Sequence, residues 1–364
     1  MARFLKLSVY FLARLSGIFL LFRWLSRDRL RILCYHGGCL GDEDQYNPLL
    51  FCPPELFASR VHWLRKMGFT FLSLDAASSL LSSSAARPRL PVVITFDDGW
   101  HSTGATLLPI LQRFHIPSTL YLCTQHYLEA WPVPAVSVRY IIWKSRRRDV
   151  LLAGFGEQVD GYYDLRDQRS RQQLAEKMVG WISATHDSRE QVLRSLEKFA
   201  ACLGVASGAL ELESRRFSYM SKAELLAASA AGCSIELHGH VHAYALGDPA
   251  ALERDLRLCK QFILDAGLPN PRHYCYPSGR FDRHAAGVLT RIGVQSGTTC
   301  FPGLISRASP TERYFLPRFL DGGNVTALEF EAEMSGFAEF VRRCARAAKT
   351  PLALFAYGRK SRAA

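Results

Sequence analysis

A chain of 364 residues that is 48% hydrophobic and 21% charged can bury a large core, and its length suits one α/β barrel with an insertion. Ten cysteines without a CxxC pair fit free, mostly buried thiols better than a disulfide framework, and so favour a reducing compartment. The formal net charge of +12 calls for an anionic partner such as a membrane surface or a phosphorylated substrate; without zinc-finger spacing, an RNP pattern or an arginine-interleaved aromatic stripe, nucleic acid is not expected.

Phe4–Leu25, FLKLSVYFLARLSGIFLLFRWL, is apolar enough to seek a membrane, yet Lys6, Arg14 and Arg23 interrupt it. Its longest uncharged run, Leu15–Phe22, falls far short of the ~20 residues that cross a bilayer. Residues 1–29 are therefore expected to form a basic amphipathic helix lying in the interface, its charges and Trp24 among headgroups. Arg27, Arg29 and Arg31 extend the positive flank. A cleaved signal peptide is the alternative, but no small-x-small site follows the run.

Leu30–His36, LRILCYH, reads as a first strand ending in His36-Gly37-Gly38. An HGG run can supply oxyanion donors in a serine esterase, but that fold also needs a GxSxG elbow, which this chain lacks. Pro53–Met67 reads as a helix with Leu56, Phe57, Val61 and Leu64 on one side, Phe69–Leu74 as a second strand, and Ser78–Leu90 as a Ser/Ala-rich linker. Strand alternating with helix predicts a parallel sheet. In Pro91–His101, PVVITFDDGWH, the run Val92-Val93-Ile94 is that of a strand covered on both faces. Gly99 breaks the chain and leaves the adjacent carboxylates of Asp97 and Asp98 at the strand's C-terminal end. Such a pair is either a solvated turn or a site where a metal or cation keeps one carboxylate ionised while the other accepts a proton.

A helix around Thr106–Phe114 and a strand Ser118–Cys123 continue the rhythm, which Thr124–Arg216 interrupts. That stretch carries Trp131-Pro132, a basic run Lys144–Arg148, and helical patterns at Arg169–Ser183 and Arg189–Leu203. It reads as a mainly helical insertion, residues 124–216, covering one side of the site. From Tyr219 the rhythm returns: Ser221 and Glu224 form a capping box for a helix ending near Gly232, and the strand Cys233–Leu237 follows. Next comes His238-Gly239-His240-Val241-His242. Three alternating histidines at a strand end favour a metal or catalytic site over packing, and His238 and His242 can meet at one ion if the chain coils there. A helix Pro249–Ala266, a short strand in His273–Gly279, a helix Arg283–Ile292, and segments Val294–Thr299 and Phe315–Phe319 complete a barrel over residues 30–326. Residues 327–364 read as a C-terminal helix, Ala327–Ala347, and a disordered basic tail.

Taken together, TFDDG at Thr95–Gly99, HGHVH at His238–His242, YPSG at Tyr276–Gly279 and LPRF at Leu316–Phe319 resemble the polysaccharide deacetylases of the NodB-homology class. The resemblance implies a distorted (β/α) barrel of about seven parallel strands and a divalent metal, commonly zinc, held by one Asp and two His. Carried over, it makes Asp98, His238 and His242 the metal ligands, Asp97 the general base, and the backbone N–H of Ser278 an oxyanion donor. His36, Tyr276 and Pro277 would touch substrate. The implied activity removes an N-linked acetyl or similar acyl group from an amino sugar of a polysaccharide or lipid-linked glycan. The anionic membrane surface expected as partner is the cytoplasmic face of a bacterial inner membrane, with the periplasmic side as the alternative.

Three departures from the family pattern stand out. Gly239 occupies a position that usually carries Ser or Thr. The third motif often has an Arg that pairs with the base, whereas Cys275-Tyr276-Pro277 has none, and Arg318 in LPRF is the candidate replacement. The late Leu-x-His that supplies a general acid is absent, leaving His36, His240 or His273 for that role. These departures keep open a second reading, a catalytically inactive sugar-binding or scaffold protein of a polysaccharide assembly system.

Overall fold

The computed structural model describes residues 2–83, 85–125 and 131–346. Seven parallel strands form a curled sheet in the order Ser296–Thr298, His273–Cys275, Cys233–Leu237, Ser118–Leu122, Pro91–Asp98, Arg31–Tyr35 and Phe319–Leu320. A further short strand, Thr70–Phe71, pairs with Pro91 and Val92. The segment 316–320 ties the two edges together: Leu316 bridges Thr298, while Phe319 and Leu320 pair with Leu33 and Cys34. The result is a distorted barrel.

Side chains alternate across this sheet as the two-residue period of a strand requires. Leu33, Ile94, Leu120, Ile235 and Tyr274 point outward and pack with helix residues such as Leu64, Leu225, Leu256 and Leu289. Ile32, Val93, Tyr121, Cys275 and Leu316 form a separate inner cluster. Thr95, Thr119, Glu236, His273 and Thr298 share the inner parity and are all buried, so the barrel interior is largely polar. Inner polar side chains near the C-terminal strand ends are what the site is built from.

Several local expectations are corrected. The predicted strand Phe69–Leu74 shrinks to Thr70–Phe71, because Ser73 caps a helix, Leu74–Ser82, by accepting from the Ala76 N–H. Leu74, Ala77 and Leu81 share one face of that helix and join the inner cluster, so the first part of the expected linker is structured. The helix expected at Thr106–Phe114 is a π turn, Thr103–Leu107, followed by Leu108–Gln112.

The insertion contains helices Pro134–Lys144, Gln168–Thr185 and Arg189–Cys202, and an antiparallel hairpin, Asp149–Leu152 with Gly161–Asp164, which periodicity had not indicated. Its core runs into the barrel through Phe51, Trp100 and Phe217. Arg216, buried, fastens it by donating to Glu43 and Asp42 at 2.8 Å each. Of the basic run, Lys144 also binds Asp42, whereas Arg146, Arg147 and Arg148 are exposed.

The N-terminal stretch forms two helices, α1 (Ala2–Leu15) and α2 (Ile18–Leu25), bent by 82° at a break where Gly17 takes φ +79°. Lys6 and Arg14 remain about half exposed but are not free for headgroups alone. They ion-pair with Glu329 and Glu331 of the helix Ala327–Ser335, because that helix presents a row of carboxylates to α1. Among the described residues, no single helix is long and apolar enough to cross a membrane. The C-terminal helix is also broken: Gly336, at φ +88°, separates Ala327–Ser335 from a second helical stretch, 337–346. The expected basic tail lies outside the described residues. All ten cysteines are free.

Candidate active site

The central strand, Pro91–Asp98, ends by breaking its own alternation. Val93, Thr95 and Asp97 face the barrel interior, so Asp98 would ordinarily point away. Instead Asp98 takes φ +74° and Gly99 φ +97°, a left-handed turn that brings both carboxylates to the same mouth. Asp tolerates this region better than most side chains, and strain of this sort persists where surrounding contacts hold it. Trp100 supplies such a contact: its indole Nε1–H donates to Asp98 Oδ2 at 2.9 Å. Sequence reading overlooked Trp100, although its position two residues after Asp98 was in view.

His238 follows directly on the strand Cys233–Leu237, and His242 returns to it because the loop coils. Asp255, from the helix Pro249–Asp265, accepts from the backbone N–H groups of His240 and Val241 at 2.9 and 2.7 Å and so holds the coil. Gly239 sits at φ +90°, where an added Cβ would lie 2.8 Å from Asp255 Oδ2. This accounts for the glycine: a Ser or Thr there would collide with the carboxylate that shapes the loop. Gly239→Ala is expected to weaken metal affinity about 10–100-fold, as loss of ligand-orienting contacts does, measured by competition with a chromophoric chelator.

Three atoms converge. Asp98 Oδ1 lies 3.4 Å from His238 Nε2 and 3.2 Å from His242 Nε2, and the two imidazole nitrogens are 3.2 Å apart. His238 donates Nδ1–H to the Cys275 carbonyl at 2.9 Å, which leaves Nε2 with its lone pair aimed at the cluster. Asp98 Oδ1 is buried without a hydrogen-bond partner. A lone pair facing a carboxylate oxygen at that distance is repulsive unless a cation lies between them. Ligand atoms around a tetrahedral metal with bonds of about 2.0–2.1 Å are about 3.3 Å apart, so the group fits one. Burial pushes the Asp98 carboxyl up, but the two imidazoles more than offset this and hold it well below the usual range.

Asp97 is organised differently. Arg318 grips it through two parallel bonds, Nη1 to Oδ1 at 2.7 Å and Nη2 to Oδ2 at 2.8 Å, and the guanidinium is completely buried. The remaining Arg318 donors reach Thr299 O, Thr95 Oγ1 and Cys275 Sγ. Burial pushes the Asp97 carboxyl up, and Arg318 overcomes it, so the group stays ionised. Cys34 and Cys275 approach Asp97 Oδ2 at 3.5 Å each. Two further groups of ligand-type atoms share Asp97, one with Cys34 and His36 and one with His238 and Cys275. Burial raises both thiols, so neither offers a thiolate, and the guanidinium on Asp97 repels a cation. The Asp98–His238–His242 group is the better metal centre.

The other candidates separate. His36 Nε2 is 3.9 Å from Asp97 Oδ2 and partly open to solvent. Ser278 is exposed at the mouth, in the turn after His273–Cys275, with φ +55°. His240 turns its Nδ1 to Thr124 Oγ1 at 3.0 Å and takes no part in the metal group. His273 is corrected outright as an acid: it begins its strand, at the end opposite the mouth, locked between Asp75 and Ser296. Tyr276 is corrected as a substrate contact, because its ring is fully buried among Tyr244, Tyr274, Phe281 and Phe315. Pro277 is buried as well and shapes the turn.

A curled parallel barrel of seven strands with an Asp–His–His group at its mouth defines the NodB-like fold. The family model described as polysaccharide deacetylase matches residues 85–153 and 181–297, and the chain belongs to that family. It is 26% identical over 102 residues to YxkH of Bacillus subtilis (strain 168), a match covering 27% of this chain and 34% of that protein; the chain thus spans about a third of that relative. Among solved structures it is similar to the Streptococcus pyogenes deacetylase PplD in complex with acetate, with TM-score 0.53 and 16% identity over 85% of this chain and 99% of that one. IcaB from Ammonifex degensii gives TM-score 0.52 and 17% identity over 85% and 97%.

Proposed function

We propose that this protein is a metal-dependent hydrolase that removes an N-linked acetyl or similar acyl group from an amino sugar of a polysaccharide or lipid-linked glycan, with zinc as the resident ion. The observation that carries this reading is the convergence of Asp98, His238 and His242 beside a second carboxylate that Arg318 keeps ionised. Three protein ligands are the set of a catalytic rather than a structural zinc, and the ion when bound acidifies water and polarises an acyl C=O.

The chain's own residues supply the rest. Asp97, ionised and aimed at the mouth, accepts the proton of the attacking water. Its strong pairing to Arg318 makes it a weak base, so it gives that proton up readily. His36, 3.9 Å from Asp97 Oδ2, takes the place of the missing late histidine and protonates the departing amine. The Ser278 backbone N–H, at the mouth, supports the developing oxyanion.

The test is acetate release from N-acetylated glucosamine oligomers by zinc-loaded protein. His36→Gln is expected to lower kcat about 10²-fold or more with KM little changed. A wild-type enzyme releasing no acyl group from any N-acylated glycan or lipid-linked sugar would favour the sugar-binding or scaffold reading.

A further inference from the structure

The two N-terminal helices turn their apolar side chains away from the protein. On α1, Phe4, Leu5, Leu12 and Leu15 are 77, 66, 65 and 69% exposed, while Tyr10 and Ala13 face inward. On α2, Leu20, Leu21 and Trp24 are each more than half exposed. Lys6 and Arg14 pair with Glu329 and Glu331, which neutralises their charge although both side chains stay about half exposed. This is the reverse of a water-facing helix, whose apolar stripe covers its own core. Exposed apolar patches of this kind mark interaction surfaces.

The same edge carries a basic groove. Trp24, Arg27, Asp28, Arg87, Pro88 and Arg89 line a cavity of about 310 Å³. The Arg27 guanidinium stacks over the Trp24 ring at 4.8 Å, and Nη2 of Arg87 is buried without a hydrogen-bond partner. Three guanidinium groups against one carboxylate are the chemistry of an anion site. Beside exposed Trp and Leu side chains, the matching anion is a phospholipid headgroup.

We propose that α1, α2 and this groove dock the protein on an anionic lipid bilayer, with the leucines and Trp24 among the acyl chains and a lipid phosphate between Arg27, Arg87 and Arg89. The helices lie in the interface. Together α1 and α2 have the length and composition of a span, but the 82° bend at Gly17 keeps α2 out of line with α1. The basic contribution comes from the far side of α2 rather than from Lys6 and Arg14.

The experiment is vesicle flotation of the full chain with phosphatidylcholine alone and with added phosphatidylglycerol. Wild type is expected to float, more strongly with the anionic lipid. Arg87→Ala/Arg89→Ala is expected to lower affinity for anionic vesicles about tenfold or more, since each basic residue near such a surface contributes about 1 kcal/mol. Leu12→Glu/Leu20→Glu is expected to abolish flotation on both while leaving the thermal melt in place. Wild type that stays with the soluble fraction overturns the proposal. So does a Leu12→Glu/Leu20→Glu variant that floats like wild type, or one that only converts a dimer to a monomer, which would assign the face to a second copy. Unchanged binding by the arginine variant overturns the groove. Acetate release from soluble oligomers, measured in parallel, separates failure here from failure of the deacetylase reading.

Discussion

Asp98→Ala is expected to abolish stoichiometric metal binding and to lower kcat/KM about 10³-fold or more, the scale of the several kcal/mol a bound metal contributes to transition-state stabilisation. The reason is geometric. Asp98 Oδ1 is the atom both imidazoles face, at 3.4 and 3.2 Å, so its removal leaves two neutral ligands without a charge to hold a cation. Asp97→Asn should separate the two functions of the carboxylate pair. It keeps the metal group intact, so metal analysis should still return one ion per chain, while acetate release falls about 10²–10⁴-fold with the loss of the proton acceptor. An Asp97→Asn enzyme with near wild-type turnover would remove Asp97 from the chemistry. Retained metal in Asp98→Ala would remove the proposed centre.

Arg318→Met carries a large expected cost in stability. It leaves the Asp97 carboxylate buried without its cation, and breaking a buried pair on one side costs about 3–5 kcal/mol. The double variant Asp97→Asn/Arg318→Met should recover most of that loss without regaining activity, because neither residual group carries an uncompensated charge. Urea unfolding of the four proteins measures this directly. The pH dependence has a definite sign. Arg318 depresses the folded pKa of Asp97 below its unfolded value of about 3.9. The contribution of the pair is therefore fully present above about pH 4 and is lost as pH falls toward the folded value. Wild type should lose stability more steeply than the double variant below pH 4. Equal acid slopes would mean that the pair contributes nothing to folding free energy.

Much of this was open to reading along the chain. The β-branched run before Asp97, the glycine after Asp98 and the alternating histidines are local signals. Strand, turn and capping preferences act over a few residues, so the strand ends that carry these groups were visible. The insertion was visible as an interruption of rhythm, though its hairpin was not, since short antiparallel strands with mixed exposure leave no clean alternation. Tyr276 was placed at the substrate, and His273 left among three unranked histidines, for a related reason. Both lie in or beside one short strand, where composition shows neither which face nor which end a side chain occupies.

The sequence by itself determined the alternation of strand and helix, the placing of two carboxylates and two imidazoles after strands, and the absence of a motif arginine beside Cys275. Only the tertiary structure decided that Arg318 fills that place, through a contact between residues 221 positions apart. It also decided that Trp100 and Asp255 brace the metal group, that His36 rather than His273 stands near Asp97, and that Lys6 and Arg14 of α1 pair with Glu329 and Glu331. The physical reason is that a side chain's face and partners follow from closure of the barrel. Closure is set by packing and pairing between distant segments, and these leave little trace in the order of neighbouring residues.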